Sequence, residues 1–209
     1  MADAAPPSAV HLPVEPAEAF AEDAVAAAAK RRVGSLNPYV LSSSDFDVAF
    51  ITPVEIAGAQ DRLIASAFLD FGGWSEYVDD TMPVLLLRVM PKQVESLMTK
   101  VARGAASTQG AALPRMPHAK AGFGRLRLFC GDTEVTPIHA FTIQPRTSEA
   151  SAIDGALYVV DPAAVGPQCA AVKLALYSEK TPEKADTRVV DPTALSRIRQ
   201  DFTFPRVPQ

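Results

Sequence analysis

Residues 123–130 read Phe-Gly-Arg-Leu-Arg-Leu-Phe-Cys, and the alternation of Arg125, Leu126, Arg127 and Leu128 is the tightest constraint in the chain. Only an extended strand sends every second side chain to the same side. The leucines are therefore expected to face a core and the arginines to face water. The same period recurs downstream. Thr133–Gln144 places Val135, His139, Phe141 and Ile143 together, and Ala156–Val160 is a further strand. Ala170–Tyr177 groups Val172, Leu174 and Leu176, and a polar connection at 179–184 leads to Thr187–Val190 as a hairpin. Upstream, Asp47–Thr52 reads as a strand ended by Pro53, and Pro83–Val89 as a buried one. The 18 prolines exceed the usual share of about 5% and argue against a mostly helical protein. These patterns predict an α+β fold, mainly antiparallel and sandwich-like.

Three helices are expected, and residues 55–69 are ambiguous with a helical bias from Ala, Gln, Arg and Leu. Residues 91–103 start at Pro91, and Val94, Leu97, Met98 and Val101 form one stripe. Lys92, Ser96, Thr99, Lys100 and Arg103 gather opposite, with Gly104 as the cap. This helix should pack its stripe on a sheet and present its basic side outward. A final helix spans 192–201. Residues 16–32 are alanine-rich, acidic early and basic late, which matches the helix dipole. They read as a helical linker or a docked arm following a flexible tail, so 1–36 is tail and arm or linker and 37–209 one β-rich domain. Val159-Val-Asp-Pro162 returns as Val189-Val-Asp-Pro192. Asp followed by Pro is a helix-start signal, predicting the same capping at two strand exits.

Charge is unevenly placed in a chain of net charge −4. Eight bases lie between positions 88 and 127 (Arg88, Lys92, Lys100, Arg103, Arg115, Lys120, Arg125 and Arg127), with Glu95 the single acid. Residues 1–87 hold 13 acids against four bases. The block suggests an anion-binding face built from Lys92, Lys100, Arg103, Arg115, Lys120, Arg125 and Arg127. The competing reading is that these bases pair with the protein's own acids. An acidic pI of about 5.4 and a lack of interleaved aromatics weigh against nucleic acid as the partner. An anionic macromolecule, or another domain of a longer protein, fits better. No apolar run approaches a membrane span, and the N-terminus is no signal peptide as it stands.

Catalytic signatures are missing. There is no G-x-S-x-G, H-E-x-x-H, P-loop or G-x-G-x-x-G pattern, and no cofactor is implied. His11 falls in the tail and His118 in a loop. His139 sits on an apolar strand face, where a hydrogen-bonded structural role outweighs general-base chemistry. Asp45 and Asp47 share a strand face, and Asp79-Asp80 a turn; solvated acids are the simpler reading of both pairs. A small hydrolase with a site near His139 or Asp45/Asp47 is kept as the alternative. Phe71, Trp74 and Tyr77 offer a ligand platform or a plug for the core. Cys130 and Cys169 either bridge across a loop of about 40 residues or remain two free thiols; neither has the neighbours of a metal site.

Asn37-Pro-Tyr-Val-Leu-Ser-Ser43, Asp47-Val-Ala-Phe-Ile-Thr-Pro53, Gly73-Trp-Ser-Glu-Tyr-Val78, Phe129-Cys-Gly-Asp132 and Leu174-Ala-Leu-Tyr-Ser-Glu-Lys180 together resemble an uncharacterised bacterial region. It is the C-terminal accessory part of secreted proteins whose N-terminal half is similar to trypsin-like serine proteases. The resemblance covers most of residues 37–203. It implies an exported, non-catalytic accessory module and favours the cysteine bridge. The Gly-Asp-Ser-Gly motif of the protease and its His and Asp partners are absent from this chain, so no catalytic residue carries over.

Overall fold

The structure is a computed structural model, which describes residues 39–60, 84–108, 110, 118–143 and 155–202. The expected tail and arm, the Phe71–Tyr77 turn, Asp79-Asp80, His11 and Arg115 lie outside the described residues. The strands are β1 (Tyr39–Ser42), β2 (Phe46–Ile51), β3 (Leu85–Pro91), β4 (Gln93–Val94), β5 (His118–Ala119), β6 (Phe123–Cys130), β7 (Thr133–Val135), β8 (His139–Ile143), β9 (Gly155–Val160), β10 (Val172–Ser178) and β11 (Thr181–Val189). The helices are α1 (Pro53–Gln60), α2 (Leu97–Thr108) and α3 (Pro192–Gln200), with a 3₁₀ turn at Pro162–Val165.

Two main sheets form, in the orders β1-β2-β3-β9-β8 and β11-β10-β6-β7, and β4 pairs β5 in a small ribbon. Every pairing is antiparallel. The α+β, sandwich-like fold predicted from alternation is the one adopted. Val48, Phe50, Leu85, Leu87 and Val89 of the larger sheet share one core with Leu126, Leu128, Val172, Leu174 and Leu176 of the smaller. Each such side chain contributes about 1.5–3 kcal/mol on leaving water. Leu195 and Ile198 of α3 join the same core. Phe46 meets Phe123 edge-on, and Phe123 meets Tyr158, so aromatic rings bridge the sheets. The Tyr158 hydroxyl accepts the Leu126 amide at 3.1 Å, satisfying the edge of β6 where β7 has already ended.

The larger sheet is buried on its other face too. Ala49, Ile51, Leu86, Leu157 and Val159 lie there with Ile56 of α1. Central strands covered on both sides lose their alternation, which explains the unbroken run Val84–Leu87. Arg88 lies on this face between Ala49 and Leu157 and is only 8% exposed. It is thus an interior residue, not a member of a surface block. Room for it comes from Gly155, where a Cβ would stand 2.7 Å from the Val89 carbonyl and 2.9 Å from the Arg88 guanidinium.

Both Asp-Pro junctions cap as expected. Asp161 accepts the Ala163 amide at the 3₁₀ turn, and Asp191 accepts those of Thr193 and Ala194 at α3. Arg199 of α3 then donates to the Val165 and Cys169 carbonyls, fixing the loop that carries Cys169. Cys130 and Cys169 stand at disulfide distance, with Cα atoms 5.3 Å apart. Cys130 is half-buried and Cys169 fully buried; Cys169 precedes β10 and does not share its alternation.

Two expected elements change. Thr133–Gln144 is two strands in different sheets, β7 and β8, because Pro137 cannot donate to a ladder. The turn before β7 is the Gly131-Asp132 pair, where Gly131 has φ +60°, a left-handed conformation that glycine adopts without strain. The 91–103 helix starts at Leu97 instead. Pro91 ends β3, the Lys92 amide donates to the Asp45 carbonyl, and Gln93–Val94 pairs with His118–Ala119. Those backbone bonds compete with a helical start, so nucleation waits for Ser96. Its hydroxyl accepts the Thr99 amide as an N-cap and its carbonyl accepts the Lys100 amide.

Two stability measurements follow from these joints. Asp191→Ala should cost about 1 kcal/mol in urea unfolding. Replacing both cysteines by serine should cost about 4 kcal/mol by loop-closure entropy; a loss below about 1 kcal/mol would mean that the bridge does not constrain the unfolded chain.

Candidate functional site

The basic residues divide among three settings. Lys92 and Lys120 lie at the foot of the β4/β5 ribbon. The Lys92 ammonium donates to the Ser43 carbonyl and stands 3.8 Å from Asp47. The Lys120 ammonium donates to the Ser44 carbonyl and pairs with Asp45 at 2.9 Å. Asp186 of β11 reaches the same turn, accepting the Ser44 amide and hydroxyl at 2.8 and 2.7 Å. The Ser43–Asp45 turn is therefore a joint that fastens Lys92, Lys120 and Asp186. Asp45 and Asp47, the pair considered for acid–base work, are counterions of that joint.

The second setting is α2. Lys100 is exposed, and Arg103 pairs with Glu95 at 2.8 Å. Thr99, Arg103 and Ala106 are the half-covered positions of the helix, while Leu97, Met98 and Val101 are 79%, 79% and 66% exposed. None of its described residues is buried. The expected orientation is reversed: the apolar stripe faces out and much of the polar side faces in. Glu95 and Ser96 hold Arg103 and Thr99 on the half-covered side.

The third setting is the outer face of the four-stranded sheet. Arg125 lies over the Tyr177 ring at 4.3 Å, and Arg127 over Phe129 at 5.0 Å. Arg127 also pairs through two nitrogens with Glu134, which holds that carboxyl below its ordinary range. Lys173 pairs with Asp132 at 2.9 Å and lowers it likewise. Among the described residues Arg125 makes no close ion pair, and Glu134 meets its charge only at longer range. The exposed guanidinium rests over the Tyr177 ring, where it can still offer N–H groups to an anion. Val189, 58% exposed, stands opposite Lys173 on the same face. So the six described residues of the seven expected to form one patch do not share one role. Lys92 and Lys120 fasten a joint, Lys100 and Arg103 ride a helix, and Arg125 and Arg127 form a stacked pair.

His139 is exposed on edge strand β8, with Phe141 as its ring neighbour at 5.7 Å. Asp132 and Glu134 belong to the other sheet and do not orient it. Among the described residues, no group of three or more His, Cys, Asp or Glu is placed to hold a metal, and no helix is long and apolar enough to cross a membrane.

One unforeseen polar cluster joins α1 to α3. Glu55 is 2% exposed; one of its carboxylate oxygens accepts the Thr52 amide at 2.8 Å, and the other faces Arg197 at 3.2 Å. The Thr52 hydroxyl donates to Asp201 at 2.6 Å, itself 1% exposed. Thr52-Pro-Val-Glu55 is the T-x-x-E pattern in which the third residue of a helix reaches back to its cap, so this part was legible in the chain. The Arg197 and Asp201 connections, about 140 residues distant, were not. Burial pushes Glu55 up to about 8, Asp201 adding to it and Arg197 opposing. This shift marks a structural joint, since all the groups are engaged in linking two helices.

Comparison with protein-family models, curated proteins and solved structures returns no match.

Folded Glu55 keeps a proton that the unfolded chain releases near its ordinary 4.5. Its contribution to stability is full below 4.5 and fades as pH rises through about 8. Melting temperature should therefore fall between pH 5 and pH 8 in the parent and fall less in Glu55→Gln. Parallel curves for the two proteins would refute the shift.

Proposed function

We propose that the chain is a non-catalytic binding module that docks an anionic partner on the outer face of the β11-β10-β6-β7 sheet. The observation that carries this reading is Arg125, which lies over Tyr177 and makes no close ion pair among the described residues, Glu134 meeting its charge only at longer range. A guanidinium resting on a ring is partly pre-ordered, so less side-chain entropy is lost on meeting a carboxylate, sulfate or phosphate. Arg127 beside it, shared with Glu134, adds positive potential without being fully committed. Such a surface gives modest affinity with strong salt dependence.

The module is further proposed to be exported and attached to a longer protein. The likeness to accessory regions of secreted protease-type proteins supports that reading. So does the cysteine pair, since disulfides persist in oxidising compartments.

Heparin serves as the anionic probe. The chain should be retained on a heparin column at low salt and elute as salt rises, while Arg125→Glu/Arg127→Glu should shift elution to the wash. Passage of the parent through the column at low salt would sink the proposal, as would retention unaffected by the double substitution.

A further inference from the structure

The outward stripe of α2 poses a physical problem of its own. A 12-residue helix is marginal in water unless an apolar face is packed, and α2 contains Gly104 as well. Single exposed apolar side chains are ordinary. Leu97, Met98 and Val101 instead form one continuous strip, extended by Val94 at its foot. Such a strip calls for a cover.

The cover can be identified from charge and reach. No acid lies within α2, and Lys100 is exposed at the margin of the strip. A second copy of the helix would oppose lysine to lysine. Residues 16–32, outside the described structure, have the complementary composition. Glu18 and Glu22 are one helical turn apart, and Ala17, Phe20, Ala21, Ala24 and Ala28 follow a helical face of small side chains around one ring. At 1.5 Å per residue this stretch would run about 25 Å, enough to span a 12-residue helix of about 18 Å.

The connection is also short enough. Residues 33–38 reach up to about 20 Å when extended. They lead into β1, whose far end is the Ser43–Asp45 turn that Lys92 and Lys120 clasp at the foot of the ribbon. Four strand residues add about 13 Å between the chain's entry and that foot.

We propose that residues 16–32 dock as a helix along Leu97, Met98 and Val101 of α2, with Glu18 and Glu22 directed at Lys100. The full chain thereby covers its own apolar strip, and the ribbon becomes one half of a helical pair attached to the sandwich. A photo-crosslinking residue, p-benzoylphenylalanine, placed at position 98 of the full chain tests this. Irradiation of the monomer should yield intramolecular products whose partner peptide lies within 16–32. Products joining two chains, products confined to other parts of the same chain, or none at all would overturn the proposal. A second measurement uses Glu18→Lys/Glu22→Lys. Amide exchange in α2 should accelerate about two- to fivefold, as loss of an exposed ion-pair contribution implies, while exchange in β6 and β10 stays as in the parent. Unchanged exchange in α2 would equally overturn it.

Discussion

The two-sided burial of β3 is the constraint on which the rest of the molecule depends. Leu85 and Leu87 point into the space between the sheets, and Leu86 points the other way into a second apolar layer. A strand buried on both faces needs a partner layer on each. The smaller sheet supplies one, and α1 contributes Ile56 to the other. This double demand also explains the position of Arg88, whose long stem can lie among apolar neighbours while its head is accommodated beside Gly155.

Around that centre, the polar interactions act mainly as joints. The Ser43–Asp45 turn receives two ammonium groups and one carboxylate from three separate parts of the chain. Thr52, Glu55, Arg197 and Asp201 tie α1 to α3. Arg199 and the cysteine pair hold the approach to β10. Charged groups that composition alone would assign to solvent or to a ligand are largely spent on geometry.

How much of this could be read in advance depended on the range of the signal. Period-two alternation located β6, β9 and β10 and the sandwich they build, because the pleat is a local property of the backbone. The Asp161 and Asp191 caps were equally legible, since cap and helix lie within three residues. The start of α2 was not. Pro91 is a good first helical residue, but the carbonyl of Asp45, far away in the chain, claims the next amide. The grouping of the expected anion-binding residues depends on contacts of the same long range. Adjacency in sequence put Lys92, Lys120 and Arg125 together, whereas tertiary contacts with the β1–β2 turn withdrew the two lysines. Arg125 kept its expected outward face because alternation fixed it.

The nine-residue strand β11 forms an outer margin of the smaller sheet. A row of unpaired amides and carbonyls along such a margin is a template on which foreign strands can grow. Here Pro182 removes one donor, and Glu183, Lys184, Asp186 and Arg188 put a mixture of signs along the rest. An incoming β-strand would have to match that charge order and leave a carbonyl facing the proline ring. The same residues that make β11 look like a poor strand in isolation thus protect the sandwich from stacking edge to edge into fibres.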